Sequence, residues 1–270
     1  MRKLLIIVLV ALGVVQVSAQ PFPLDYSYVG YRQCEQAIPN APVKVYVSCE
    51  TGDQSARIQK ALDYVARQKM DKKTGLRGAV LLAPGTYHLS KALRISASGV
   101  VLRGSDRQKT VLLKEGVDRG AVVYVEGQDN RQITDTLAIT GSVALGNKQL
   151  SLSGKALSQI KAGTEVVVYR PSTQSWINKL QCASFGGGKD MGYWGWHPGE
   201  ADVEWSRTVT HVQGNQVTLD APLSMELQAS DADSKVLLYR WSGRIVNAGV
   251  ENLTIQSAYH TKYAMDEDHA

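Results

Sequence analysis

The segment Gly192-Tyr193-Trp194-Gly195-Trp196-His197-Pro198-Gly199-Glu200-Ala201-Asp202-Val203-Glu204-Trp205 holds three of the chain's five tryptophans beside three carboxylates. Flat indole faces suit the C–H face of a sugar ring, and neighbouring acids suit its hydroxyls. Trp194, Trp196, His197, Glu200 and Trp205 are therefore candidate saccharide-binding residues, on a loop that its glycines make mobile. The same aromatics would also serve simply to pack this segment onto its surroundings. A second polar cluster comes late in the chain: His260, Lys262 and Tyr263, then Asp266-Glu267-Asp268-His269. Oxygen ligands at that density can hold Ca²⁺. His260, Lys262, Asp266, Asp268 and His269 also supply the types needed for general acid–base catalysis. A solvated chain end is the plainer alternative. Arg170, Arg240 and Arg244 are of a type that clasps a carboxylate bidentately, and Arg244 is taken as the substrate-binding one. Gly186-Gly187-Gly188-Lys189 lacks the spacing and the preceding strand of a phosphate loop.

Composition narrows the classes that such residues can serve. Met1-Arg2-Lys3, the apolar run Leu4 to Val15 and the small-residue exit Val17-Ser18-Ala19 have the layout of a signal peptide cleaved after Ala19. The run is too short to span roughly 30 Å of hydrocarbon as a helix. An uncleaved anchor is the alternative. No later segment is apolar enough to cross a membrane, so the expected location is periplasmic or extracellular. Cleavage would remove two cations and no acid, lowering the net charge from +5 to +3. That mild excess fits an acidic substrate. Lys and Arg are scattered rather than clustered, which argues against nucleic acid as a partner. Cys34, Cys49 and Cys182 are an odd set for an exported chain. A Cys34–Cys49 bridge would staple a Pro-rich loop and contribute roughly 3 kcal/mol.

Five segments must position these residues. Residues 1–19 are the leader, and residues 20–50 are an extended arm with a strand at Val43 to Ser48. Residues 51–141 begin with one amphipathic helix, from about Asp53 to Gln68. Ile58, Ala61, Leu62 and Val65 form its apolar stripe, and Asp53 is placed to accept an early backbone N–H. From Gly78 the pattern changes to short β bursts. Gly78-Ala79-Val80-Leu81-Leu82, Gly99-Val100-Val101-Leu102-Arg103 and Gly120-Ala121-Val122-Val123-Tyr124 start 21 residues apart. A fixed interval of this kind fits successive coils of a parallel β-helix, which must stack to bury their inward side chains. It predicts the three strands in one parallel sheet, with Val80, Val101 and Val122 at equivalent rungs. The helix would cover the exposed edge of the first coil. Residues 142–235 break the interval, and Gly214-Asn215 signals a hairpin there. They read as an antiparallel β insertion, with a distorted continuation of the coils as the alternative. Coil-like strands resume over residues 236–270. No terminal cap follows them, which is the expectation for the N-terminal part of a longer protein.

The run Gly52-Asp53 … Ile58-Gln59-Lys60-Ala61-Leu62-Asp63, then Val80-Leu81-Leu82-Ala83-Pro84-Gly85-Thr86-Tyr87, then Val100-Val101-Leu102-Arg103-Gly104 resembles the pectate-lyase-like superfamily. Gly243-Arg244-Ile245 and Gly249-Val250-Glu251-Asn252-Leu253 look like later coils of the same kind. The resemblance implies an all-β, right-handed parallel β-helix acting on extracellular polysaccharide. A lyase working by β-elimination on a uronate polymer is favoured. A glycoside hydrolase of the same fold or a non-catalytic glycan binder are the alternatives. The insertion is unmatched, and no family catalytic residue can be carried over. Fold alone does not fix the chemistry.

Overall fold

The computed structural model describes residues 26–188, 192–228 and 233–258. In chain order come β1 (Val43–Val47), α1 (Ser55–Ala66), β2 (Gly78–Leu82), β3 (Gly85–Leu89), β4 (Leu93–Ile95), β5 (Val100–Gly104), β6 (Thr110–Lys114) and β7 (Val123–Val125). Then follow β8 (Gln132–Ile139), β9 (Gln149–Ser153), β10 (Glu165–Arg170), α2 (Gln174–Lys179), β11 (Gly186–Gly188) and β12 (Gly192–Trp194). The last are β13 (Val203–Gln213), β14 (Gln216–Leu219), β15 (Lys235–Arg240), β16 (Gly249–Glu251) and β17 (Thr254–Ser257). The protein is therefore mostly β, with few helices. No described helix is long and apolar enough to cross a membrane. The described residues divide into two compact units, one drawn from 34–135 and 238–258 and the other from 26–33 and 136–237.

The first unit is a stack of parallel sheets. Strand order is β1-β2-β5-β16 in one sheet, β3-β6-β17 in a second and β4-β7 in a third. Near-continuous apolar runs such as Val80-Leu81-Leu82 suit strands covered on both faces. The 21-residue interval is not the structural repeat. Gly78 pairs with Val100 and Val80 with Leu102, so the first two bursts do share a sheet, one residue out of the expected register. The third burst joins another sheet, where Val123 pairs with Leu93. The physical reason is the corners. Two residues separate β2 from β3, but five separate β5 from β6; three separate β3 from β4, but eight separate β6 from β7. The step between paired strands therefore lengthens along the coil and is not constant. Val122 is buried in the same core all the same.

Helix α1 closes one end of that core. Ile58, Leu62 and Val65 are essentially inaccessible and pack in one cluster with Val80, Leu82, Leu89, Leu93, Ile95 and Leu102. The capping position is Gln54 rather than Asp53. Asp53 nevertheless accepts an early N–H, from Ser55 at 3.0 Å, together with the Ser55 hydroxyl at 2.6 Å. Its carboxylate also takes the Ser90 N–H at 3.2 Å and the Ser90 hydroxyl at 2.6 Å, tying the helix start to a coil corner. These bonds, led by that from the Ser55 hydroxyl, hold its carboxyl far below the ordinary range. A depressed folded pKa stabilises above the unfolded value and is lost as pH falls through it. Asp53→Asn is expected to cost about 1–2 kcal/mol at neutral pH, a range already reduced for solvent exposure. Below about pH 4, where the unfolded carboxyl protonates, the gap between wild type and variant should narrow. Urea midpoints at both pH values check this, and a gap that stays constant would remove the carboxylate's role.

The three cysteines are thiols, so Cys34 and Cys49 are not bridged. Cys49 instead directs its Sγ to the Thr86 carbonyl at 3.3 Å.

In the second unit the strands close on themselves. β10-β13-β14-β9-β8-β15 form a six-stranded barrel, whose described β10–β13, β13–β14, β14–β9 and β8–β9 pairs are antiparallel. Alternation puts Leu150, Leu152, Val217 and Leu219 inside. The Gly214-Asn215 turn does join β13 to β14, with Gln213 paired to Gln216 and Gly214 at φ +61°.

Candidate functional site

The aromatic segment of the sequence lies on the barrel unit and is assembled from the end of β10 onward. Thr173 caps α2 by accepting the Trp176 N–H at 3.3 Å. This short helix buries Trp176 and Ile177. The chain then runs into the β11–β12 hairpin, where Gly186 pairs with Trp194 and Phe185 N–H donates to the Trp194 carbonyl at 2.8 Å. Two residues later, Trp196 N–H donates to the Cys182 carbonyl at 2.8 Å. Gly195 is required there, since a Cβ would overlap the Ala183 carbonyl.

These constraints build a column of rings. The Arg170 guanidinium, only 3% exposed, sits 4.2 Å from the Trp176 ring centroid. Trp196 stacks on Trp176 at 5.8 Å and 17°, and Phe185 meets Trp196 edge-on at 6.4 Å and 80°. Offset stacking and edge contacts are the favoured aromatic geometries. Beside the column, Trp194 presents half its surface (53%) to solvent and Phe185 slightly more (57%).

The loop after Trp196 is pinned by a polar knot. Ser172 is buried, and its hydroxyl accepts the Gly199 N–H at 3.0 Å and the Ala201 N–H at 3.1 Å while donating to Asp202 at 2.9 Å. Asp202 also accepts the Ser172 N–H at 2.7 Å and the Tyr169 hydroxyl. The Ser172 N–H, then the Tyr169 phenol, hold the Asp202 carboxyl below the usual carboxylate range. The same bond to Asp202, then burial, pushes the Tyr169 phenol up to about 12. Within the loop, His197 N–H donates to Glu200 at 2.8 Å. The arrangement presents ring faces at a fixed angle, with the exposed Glu200 carboxylate and His197 imidazole beside them.

Of the candidates singled out in the sequence, Trp194, Trp196, His197 and Glu200 thus lie in one structured segment. Trp205 does not join them at the surface. It is buried, and its indole N–H donates to the Ser224 hydroxyl at 2.9 Å. Arg244 belongs to the stacked-sheet unit, where it donates to the Tyr239 hydroxyl at 2.8 Å and lies 5.7 Å from the Trp241 ring. His260, Lys262, Asp266, Asp268 and His269, with the Ca²⁺ site considered for them, lie outside the described residues. Among the described residues, no group of three His, Cys, Asp or Glu is placed to hold a metal ion. Trp176 and Phe185 were missed in the sequence. The capping residue Thr173, three positions before Trp176, was the available signal.

No family model matches the chain, and no curated protein matches it. Solved structures with a similar course include phage tailspikes. The Gp54 tailspike of Acinetobacter baumannii bacteriophage AP22, solved in complex with A. baumannii capsular saccharide, has 13% identity and a TM-score of 0.43, over 77% of this chain and 27% of that one. The Pseudomonas phage phi297 tailspike gp61 has 14% identity and a TM-score of 0.38, over 76% and 28%. The tailspike gp49 of Pseudomonas phage LKA1 has 15% identity and a TM-score of 0.35, over 68% and 24%. The chain spans about a quarter of the length of these proteins. Likeness of this degree carries no argument about chemistry.

Proposed function

We propose that the protein is an exported, carbohydrate-active member of the pectate-lyase-like group, with a right-handed parallel β-helix carrying a barrel insertion. Its substrate is an acidic, uronate-containing polysaccharide, and its reaction is β-elimination. The observation that carries the glycan reading is the aromatic column with solvent-facing Trp194 at its side. A ring half exposed yet held by a hairpin, next to His197 and Glu200, offers a pyranose a face to stack on and polar groups for its hydroxyls.

The elimination itself needs two things: a cation to neutralise the uronate carboxylate and a base for the proton at C5. The leader-like start of the chain and its first-coil motifs support a secreted enzyme of this type. His260, Lys262 and His269 are the proposed base candidates, with Asp266 and Asp268 as ligands for a Ca²⁺ that would neutralise the carboxylate. A hydrolase would instead need two carboxylates flanking the bond, separated by roughly 5 to 9.5 Å.

Incubation with uronate polymers tests the reaction. Rising ultraviolet absorbance from an unsaturated product is expected, whereas new reducing ends without it would identify a hydrolase. Retention without turnover would identify a binder. For the contact surface, Trp194→Ala is expected to weaken glycan binding by about 2 kcal/mol, roughly 30-fold, as loss of an aromatic anchor does. Affinity electrophoresis measures it, and unchanged retention would take the hairpin out of the site.

A further inference from the structure

The corner between β6 and β7, residues 115–122, is folded around one buried ammonium. Lys114, with a side chain only 11% exposed, donates to the Asp118 carboxylate at 3.0 Å, to the Gly120 carbonyl at 2.7 Å and to the Asp118 carbonyl. Those three bonds use all its N–H groups. Asp118 also accepts the Gly120 N–H at 2.7 Å. The bond from Lys114, then that from Gly120, hold its carboxyl below the ordinary range. Asp118 is therefore already neutralised; the corner's other acid, Glu115, is turned to His88 at 3.0 Å and does not line the cavity described next.

Between this loop and the Ser90–Ala92 corner of the preceding coil lies a cavity of about 190 Å³, lined among others by Ser90, Lys91, Arg94, Asp118 and Tyr124. Three of its lining residues keep donors that no described group uses. The Lys91 side chain is exposed and its ammonium has no described partner, the only bond of that residue's N–H being to Ser55. Arg94 contacts Glu126 through Nη1 and leaves its Nε and Nη2 unused. Its guanidinium carbon lies over the Tyr124 ring, 4.5 Å from the centroid. The Tyr124 hydroxyl accepts the Ala121 N–H at 3.3 Å and keeps its own proton to donate.

We propose that this corner cavity is an anion subsite, taking the carboxylate or sulfate ester of an acidic sugar. The sugar rests on the proposed function, but the anion chemistry rests on the cavity alone. A guanidinium edge matches a planar oxyanion bidentately, an ammonium adds an adjustable point charge, and the phenol supplies a neutral donor. The volume admits one such group with part of the ring that bears it. A single cavity without a basic track does not suit a nucleic-acid backbone.

Calorimetric titration of the whole chain tests it, with uronate oligomers, neutral oligomers of equal length and inorganic sulfate as probes. Arg94→Gln and Lys91→Ala should each weaken uronate binding by about tenfold, and by about a hundredfold together, the range for hydrogen bonds to a charged group. Arg94→Lys, which keeps the charge and loses the fork, should fall between. Added salt should weaken the interaction, and neutral oligomers should not distinguish the variants. Uronate affinity that survives Arg94→Gln and Lys91→Ala but falls in Trp194→Ala would overturn the subsite and leave the glycan reading standing. The converse, loss in the corner variants with Trp194→Ala silent, would keep the subsite and remove the hairpin. Sulfate binding without any uronate binding would overturn the saccharide assignment. Circular dichroism of each variant confirms that the fold is kept.

Discussion

Leu62→Ala is expected to lower the unfolding free energy of the stacked-sheet unit by about 2–5 kcal/mol, the range for truncating a buried leucine. Leu62 is 1% exposed and lies between Ile58 and Val65, both fully buried against the inward side chains of β2, β4 and β5. Two effects add. The variant forgoes the favourable transfer of the deleted groups out of water on folding, and the cavity left behind cannot collapse. Collapse is blocked because Asp53 fixes the helix start to Ser90 and Gln59 bonds the Arg94 backbone at 2.8 and 3.0 Å. The neighbouring change Asp63→Ala, on the exposed face, should stay within about 0.5 kcal/mol. Urea denaturation with an unchanged slope measures both. A Leu62→Ala loss no larger than that of Asp63→Ala would mean that the helix does not seal the coil end.

The contrast between those two residues also explains what could be read without coordinates. A helix writes its buried face locally, at a 3.6-residue period, so Ile58, Leu62 and Val65 were legible. The Gly214-Asn215 turn was legible for the same reason, since a hairpin is closed by its own two residues. Sheet membership was not. Whether Val123 pairs with Leu93 or with Val101 depends on the length of the corner at 115–122, and nothing in the strand's own sequence records that. Barrel closure was hidden too, because it is made by strands that are far apart in the chain. Within the site, parity was available but unused. Glu204 and Ser206 flank Trp205 on β13, and two-residue alternation turns a residue between two polar neighbours inward. Trp194 and Trp196 are separated from that strand by a loop, so alternation said nothing of them.

Trp176→Ala is expected to cost the barrel unit about 3–5 kcal/mol, as for a buried tryptophan truncated to alanine, and also to abolish tight glycan binding. Trp176 is 6% exposed, so a saccharide stacking on Trp194 or Trp196 has almost none of its surface to touch. It acts by position. On one contact it receives the buried Arg170 guanidinium at 4.2 Å, and on another it carries Trp196 at 5.8 Å. Removing it strips a buried cation of its aromatic partner, an interaction worth about 2 kcal/mol when desolvated. It also leaves Trp196 with only the edge of Phe185 to hold its plane. Trp176→Phe restores a flat apolar ring and should recover most of the stability and binding. That recovery separates a positioning role from a merely structural one. Binding is measured under conditions where the alanine variant stays folded by near-ultraviolet circular dichroism. A folded Trp176→Ala protein with wild-type affinity would show that the column does not orient the glycan surface, because stacking selectivity depends on the angle that Trp176 imposes on Trp196.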